Sequence, residues 1–67
     1  MKYEFILKIR DHEHDPWRIK WRCVVSKDYY DLRLSKYEEW KHDHKDLDSI
    51  ILINKLTDNG EFVEVIQ

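Results

Sequence analysis

The stretch that decides the fold is Trp17-Arg18-Ile19-Lys20-Trp21-Arg22-Cys23-Val24-Val25. Its apolar and basic residues alternate, and successive side chains of a strand point to opposite faces of a sheet. The pattern therefore predicts a half-buried strand with an aromatic inner face and a basic outer face. The predicted inner face comprises Trp17, Ile19, Trp21, Cys23 and Val25. The predicted outer face comprises Arg18, Lys20 and Arg22.

A second alternating segment precedes this strand. Residues 2–10 place Tyr3, Phe5, Leu7 and Ile9 on one side of an extended chain. The polar connection 11–16 ends in a proline, which cannot occupy a central strand. We therefore expect an antiparallel hairpin whose two apolar faces lie together.

The C-terminal third predicts another hairpin. Residues 47–56 contain the apolar run Ile50–Ile53, which does not alternate and is typical of a strand contacted on both faces. The turn 57–60 is expected to place Thr57 opposite Glu61, with Gly60 in the left-handed conformation. Both faces of the hairpin then carry apolar residues. One face is therefore expected to meet a partner, and a homodimer through the 47–66 hairpin is one form of that expectation.

The segment between the hairpins, residues 26–46, is compatible with two structures. One long helix over 28–45 puts Arg33 in the middle of its apolar stripe and turns Leu32 away from it. A short strand over 30–34, followed by a helix that begins at the capping box 35–38, removes both conflicts, and we prefer it. The predicted fold is a small single α+β domain, residues 1–67, ordered β-β-β-α-β-β with an antiparallel sheet and one helix. The alternative is β-β-α-β-β with one long helix over 28–45.

Composition narrows the setting. The only cysteine of the 67 residues is Cys23, so no intramolecular disulfide can form and a reducing compartment is expected. Residues 1–8 lack the pattern of a signal peptide, and no apolar run approaches the length of a membrane span. We expect a cytoplasmic protein with no membrane association. The absence of alanine, with many Lys, Asp, Ile and Tyr residues, favours an AT-rich genome and thus a phage or mobile-element accessory factor.

Charge is polarised along the chain. Residues 1–36 hold nine Lys/Arg and six Asp/Glu, a balance of +3, whereas residues 37–67 hold three and eight, a balance of −5, which together give the net charge of −2. In the preferred fold one basic face gathers the candidate partner-binding residues Lys8, Arg10, Arg18, Lys20, Arg22 and Arg33. Arginine forks suit carboxylates or phosphates. This face lacks the interleaved aromatics that single-strand binders use, which favours a protein partner and leaves nucleic-acid binding as the alternative.

Two histidine pairs form a further candidate site. The low-ranked metal candidates are His12, His14, His42 and His44. Imidazole and carboxylate are ordinary zinc ligands, but neither pair has the spacing of a known metal motif. The pairs can converge only if 28–45 is one helix. We therefore expect no metal and no cofactor, and a small metal-binding protein is the second alternative.

Nothing in the chain predicts catalysis. The domain is too small for a sizeable water-excluding pocket, and no nucleophile sits beside a base in a recognisable pattern. We expect a small non-enzymatic protein-binding domain that docks on a larger macromolecule as an inhibitor or adaptor.

Overall fold

The computed structural model describes residues 1–67 and contains four strands and one helix. The chain forms β1 (Lys2–Arg10), β2 (Arg18–Ser26), a 3-10 turn (Lys27–Tyr29), α1 (Tyr30–Asp43), β3 (Asp48–Leu56) and β4 (Phe62–Val65). The prediction of a small α+β domain with an antiparallel sheet is confirmed. The helix is neither long nor apolar enough to cross a membrane.

The four strands form one antiparallel sheet in the order β2-β1-β3-β4. Helix α1 covers one face of this sheet. The core beneath it consists of Phe5, Leu7, Ile9, Tyr37, Ile51 and Ile53. Alternation in β1 produces this core, because every second residue from Phe5 to Ile9 is buried. Tyr30 closes one end, with its ring 4.8 Å from that of Tyr3 and 5.4 Å from that of Phe5.

The preferred third strand over 30–34 is wrong, and the alternative with one long helix is correct. The segment enters α1 through the 3-10 turn, and Ser35 lies inside the helix rather than at its start. The helix accommodates both residues that conflict with its apolar stripe, in ways that the sequence pattern did not reveal. The guanidinium group of Arg33 lies 5.4 Å from the centre of the Trp21 ring. Leu32 remains in solvent, with 56% of its surface exposed.

Strand β2 departs from strict alternation at a β-bulge. Leu7 lies opposite Trp21, but the next residue, Lys8, lies opposite Ile19, so Lys20 is the additional residue. An extra residue in a strand moves every side chain that precedes it to the opposite face of the sheet. The predicted inner residues Trp21, Cys23 and Val25 do pack against the core, and the prediction for Trp17 and Ile19 is wrong. Ile19 is 59% exposed on the opposite face.

The turn between β3 and β4 agrees with its prediction. The backbone N–H of Thr57 donates to the Glu61 carbonyl oxygen at 2.8 Å, and the N–H of Gly60 donates to the Thr57 carbonyl oxygen at 2.9 Å. Gly60 has a φ of 89°, which disfavours residues with a Cβ. A second bulge follows, because Leu56 lies opposite Phe62 and Lys55 opposite Glu64.

Candidate functional site

The face of the sheet away from α1 has no cover, and we call it the open face. Strand register assigns its side chains: a residue paired with an outward residue of β1 or β3 shares that residue's face. Its apolar members are Ile6, Ile19, Val24, Ile50, Leu52, Leu56, Phe62 and Val65. Its polar members are Lys2, Glu4, Lys8, Arg10, Arg22, Ser26, Asp48 and Asn54. The open face therefore draws residues from all four strands.

A hydrogen-bonded group spans the middle of the open face. Asn54 on β3 donates its side-chain N–H to Oε1 of Glu4 at 2.8 Å, and Arg22 on β2 donates to Oε2 of the same carboxylate. The Asn54 hydrogen bond, followed by the hydrogen bond and charge of Arg22, lowers the pKa of Glu4 below its usual value, although burial opposes this shift. The group ties the three strands together and keeps Glu4 ionised.

The end of the open face near residue 10 is held by a second ion pair. Nε of Arg10 donates to Oδ2 of Asp48 at 2.9 Å, which joins β1 to β3. The Arg10 guanidinium carbon also lies 4.2 Å from the centre of the Trp17 ring. Trp17 thus packs on a cation rather than in the core that its sequence position predicted. Both arginines of the open face are therefore already paired with carboxylates of this chain.

Lys8 is the open-face lysine with the most apolar surroundings. It is half-buried, and its register partners are Ile19 on β2 and Ile50 on β3. No carboxylate lies within ion-pair distance of its ammonium group, as none of the six ion pairs includes Lys8. The open face therefore contains Lys8 as a free cation among apolar side chains, and Lys2, at the start of β1, also forms no ion pair.

The six predicted partner-binding residues do not share one face. Lys8, Arg10 and Arg22 lie on the open face, as the alternation predicted. Arg33 lies in the helix on the other side of the sheet, because the strand that would have carried it does not exist. Arg18 lies opposite Ile9, on the helix side, and pairs with Asp11 at 3.4 Å. Lys20 occupies the β2 bulge and is exposed.

The histidines are distributed over the end of the sheet where Arg10 meets Asp48. His12 and His14 are exposed in the connection between β1 and β2, and His42 is exposed near the end of α1. The His44 ring stacks on Trp40 with centres 4.4 Å apart, and its Nδ1 donates to the Trp40 carbonyl oxygen at 2.8 Å. No three His, Cys, Asp or Glu side chains gather with the geometry of a metal site.

A shallow groove lies between the exposed edge of β2 and α1, and sequence reasoning missed it. It encloses about 180 Å³ and is lined by Val25, Tyr29, Leu32, Arg33 and Lys36. Four of these lining residues recur at helical spacing along one side of the 3-10 turn and α1: Tyr29, Leu32, Arg33 and Lys36. The signal in the sequence is Leu32, an apolar residue that a helix over 28–45 turns away from its apolar stripe.

Comparison of the chain with protein-family models, with curated proteins and with solved structures finds no match.

Proposed function

We propose that this chain is a non-enzymatic protein-interaction domain that docks on a larger protein through its open face, as an inhibitor or adaptor. The observation that carries the proposal is the uncovered sheet face with apolar residues from four strands. Several of these residues are well exposed: Ile19 and Val24 on β2, and Phe62 and Val65 on β4. Exposed apolar surface drawn from several strands is characteristic of a recognition site.

The charges of the open face favour a protein partner with an apolar patch and few carboxylates. Arg10 and Arg22 already satisfy their donors on Asp48 and Glu4, so a polyanion would have to compete with these internal ion pairs. Nucleic-acid binding rests on many free cations, whose phosphate contacts provide most of the affinity. Lys8 is free but sits among isoleucines, where one carboxylate of a largely apolar partner could reach it.

The proposed setting is the cytoplasm of a bacterial host, and a phage or mobile element is the proposed source. The free cysteine, Cys23, is compatible with a reducing compartment. Docking on a larger host protein would suit a small accessory factor, because a rigid sheet presents its side chains without ordering a loop.

Capture from nuclease-treated bacterial lysate with matched variants tests the proposal. Ile50→Glu adds a charge at an open-face position that is partly exposed in the free domain. Ser35→Glu adds the same charge at an exposed helix position outside the open face. We expect wild type and Ser35→Glu to retain the same stoichiometric protein, and Ile50→Glu to bind it at least about tenfold more weakly. The added carboxylate, which lies opposite Lys8, must lose its water in the interface, and this desolvation costs more than about 1.4 kcal/mol.

Three results would contradict the proposal. Capture of the same protein by Ile50→Glu would exclude the open face as the docking surface. Loss of all capture on nuclease treatment would favour the nucleic-acid alternative. A wild-type dimer in sedimentation that Ile50→Glu converts to monomer would mean that a second copy, rather than a larger protein, covers the face.

A further inference from the structure

The groove beside β2 contains the one arginine that has no carboxylate partner. Arg10, Arg18 and Arg22 each pair with an acidic residue of this chain, whereas Arg33 forms no ion pair and lies beside the Trp21 ring. A guanidinium group carries five donors, and none of those of Arg33 is bonded to this protein. No polar side-chain atom is buried without a partner, so these donors face solvent and are free to bind a ligand.

Apolar surface lies directly beside this guanidinium group. Leu32 and Tyr29 are 56% and 60% exposed, and together with Val25 they line the groove. Lys36 adds a second cation, whose ammonium group lies 3.7 Å from the carboxylate of Glu39, an exposed residue one turn later in α1. The groove thus has an apolar surface with a net positive charge beside it. This combination suits a ligand that carries an apolar side chain next to a carboxylate.

The edge of β2 supplies the backbone for such a ligand. Strand β2 is an outer strand of the sheet, and its only strand partner is β1. None of the backbone hydrogen bonds outside the helix and strands involves a β2 residue, so the outer N–H and C=O groups of this strand have no protein partner. A segment in extended conformation can pair with an edge of this kind and place alternate side chains into an adjacent groove.

The charges of β2 select among the segments that could pair with it. Arg18, Lys20 and Arg22 are all basic, and the strand has no acidic residue. A second copy of β2 would therefore set like charges against each other, which disfavours self-pairing. An acidic segment would instead meet opposite charge along residues 18–22, where Lys20 forms no internal ion pair, and no charge along residues 23–26.

We propose that the β2 edge and the adjoining groove bind an extended acidic segment of a partner protein by strand addition. The segment carries an apolar residue and, two positions away, a glutamate or aspartate. Residues two apart in a strand share a face and lie about 7 Å apart, so both reach the groove side. The apolar side chain occupies the surface of Val25, Tyr29 and Leu32, and the carboxylate accepts hydrogen bonds from Arg33. This site is separate from the open face and does not depend on it.

Titration with a fluorescein-labelled heptapeptide tests this proposal. The probe is capped, rich in threonine, and carries one valine followed two residues later by glutamate; a matched peptide has lysine in place of glutamate. We expect the glutamate peptide to bind at least about tenfold more tightly than the lysine peptide. We expect Arg33→Gln and Leu32→Asp to weaken glutamate-peptide binding by at least about tenfold, and Lys45→Gln, in the turn after α1, to leave it unchanged.

Amide exchange of the complex provides a second readout. Strand addition should slow exchange of outward amides in β2, whereas binding by charge alone should not. Equal affinity for both peptides, wild-type affinity of a folded Arg33→Gln variant, or no protection in β2 would each overturn the proposal. Ile50→Glu should bind the peptide normally while losing its open-face partner, so the two proposals can fail separately.

Discussion

The two faces of the sheet are made by the same strands and yet differ in their exposure to water. On the covered face, Phe5, Leu7 and Ile53 are fully buried beneath the helix. On the open face, the neighbouring residues Glu4 and Asn54 form a polar group, and Ile19 and Ile50 remain in contact with water. The covered face is apolar throughout its centre, whereas the open face alternates apolar residues with internally paired charges.

The difference shows how a small domain with one helix distributes its apolar surface. One helix can cover one face of a four-stranded sheet, so the second face must be compatible with water. Ion pairs and hydrogen bonds between strands achieve this, and they also hold register where no core does. Apolar residues nevertheless remain exposed on this face, although contact with water does not require them. These residues are the main physical reason to regard the open face as a binding surface.

The largest expected effect separates two adjacent residues of β1. Phe5→Ala should lower the free energy of unfolding by about 3–5 kcal/mol, because it leaves a cavity in the core. Ile6→Ala, on the half-buried open face, should cost only about 1 kcal/mol. Urea unfolding followed by tryptophan fluorescence measures both. Equal losses would mean that the open face contributes to stability as much as the core does.

A smaller effect concerns the polar group of the open face at acid pH. The folded-state pKa of Glu4 is lowered, so its stabilisation is complete above the usual pKa of 4.5 and is lost as the pH falls through the lowered value. Glu4→Gln should reduce stability at pH 7 by about 1–2 kcal/mol and make unfolding less dependent on pH below 4.5. Urea midpoints at pH 7, 4.5 and 3 measure this change.

The matched control for that experiment is Glu38→Gln, an exposed carboxylate on α1 without a hydrogen bond to this protein. It should keep the wild-type acid profile. Some pH dependence should remain in Glu4→Gln, since the amino terminus bonds to Asp58 and lowers the pKa of that carboxyl. An unchanged acid profile in Glu4→Gln would show that the polar group does not contribute to stability.

The smallest expected effect tests the bulge in β2. Ile19→Thr should change the free energy of unfolding by no more than about 0.5 kcal/mol, because Ile19 is exposed. Strict alternation would instead make Ile19 a core residue whose polar replacement costs about 2 kcal/mol or more. Thermal unfolding of this variant and of Cys23→Ser, which lies three register pairs further along the strand and on the covered face, distinguishes the two cases.

The local sequence predicted the parts of the fold that a single rule, such as strand alternation or turn chemistry, is enough to determine. The alternation of β1 identified its buried residues, and the Thr57–Gly60 turn was correct in its pairing and in the conformation of Gly60. The position of Arg33 could not be predicted in this way, because the ring beside which its guanidinium group lies, that of Trp21, belongs to a strand distant in sequence. Of the candidate site, the outward positions of Lys8, Arg10 and Arg22 were predictable, but the internal ion pairs of Arg10 and Arg22 required the strand order.

The sequence by itself determined the class of the fold, the two hairpins and the inner face of β1, because side-chain period and turn chemistry are local properties. Only the tertiary structure decided which residues of β2 enter the core, since the bulge at Lys20 arises from pairing with β1. It also decided that Arg33 and Leu32 adjoin the edge of β2. Those positions depend on packing between elements distant in sequence, which no local pattern encodes.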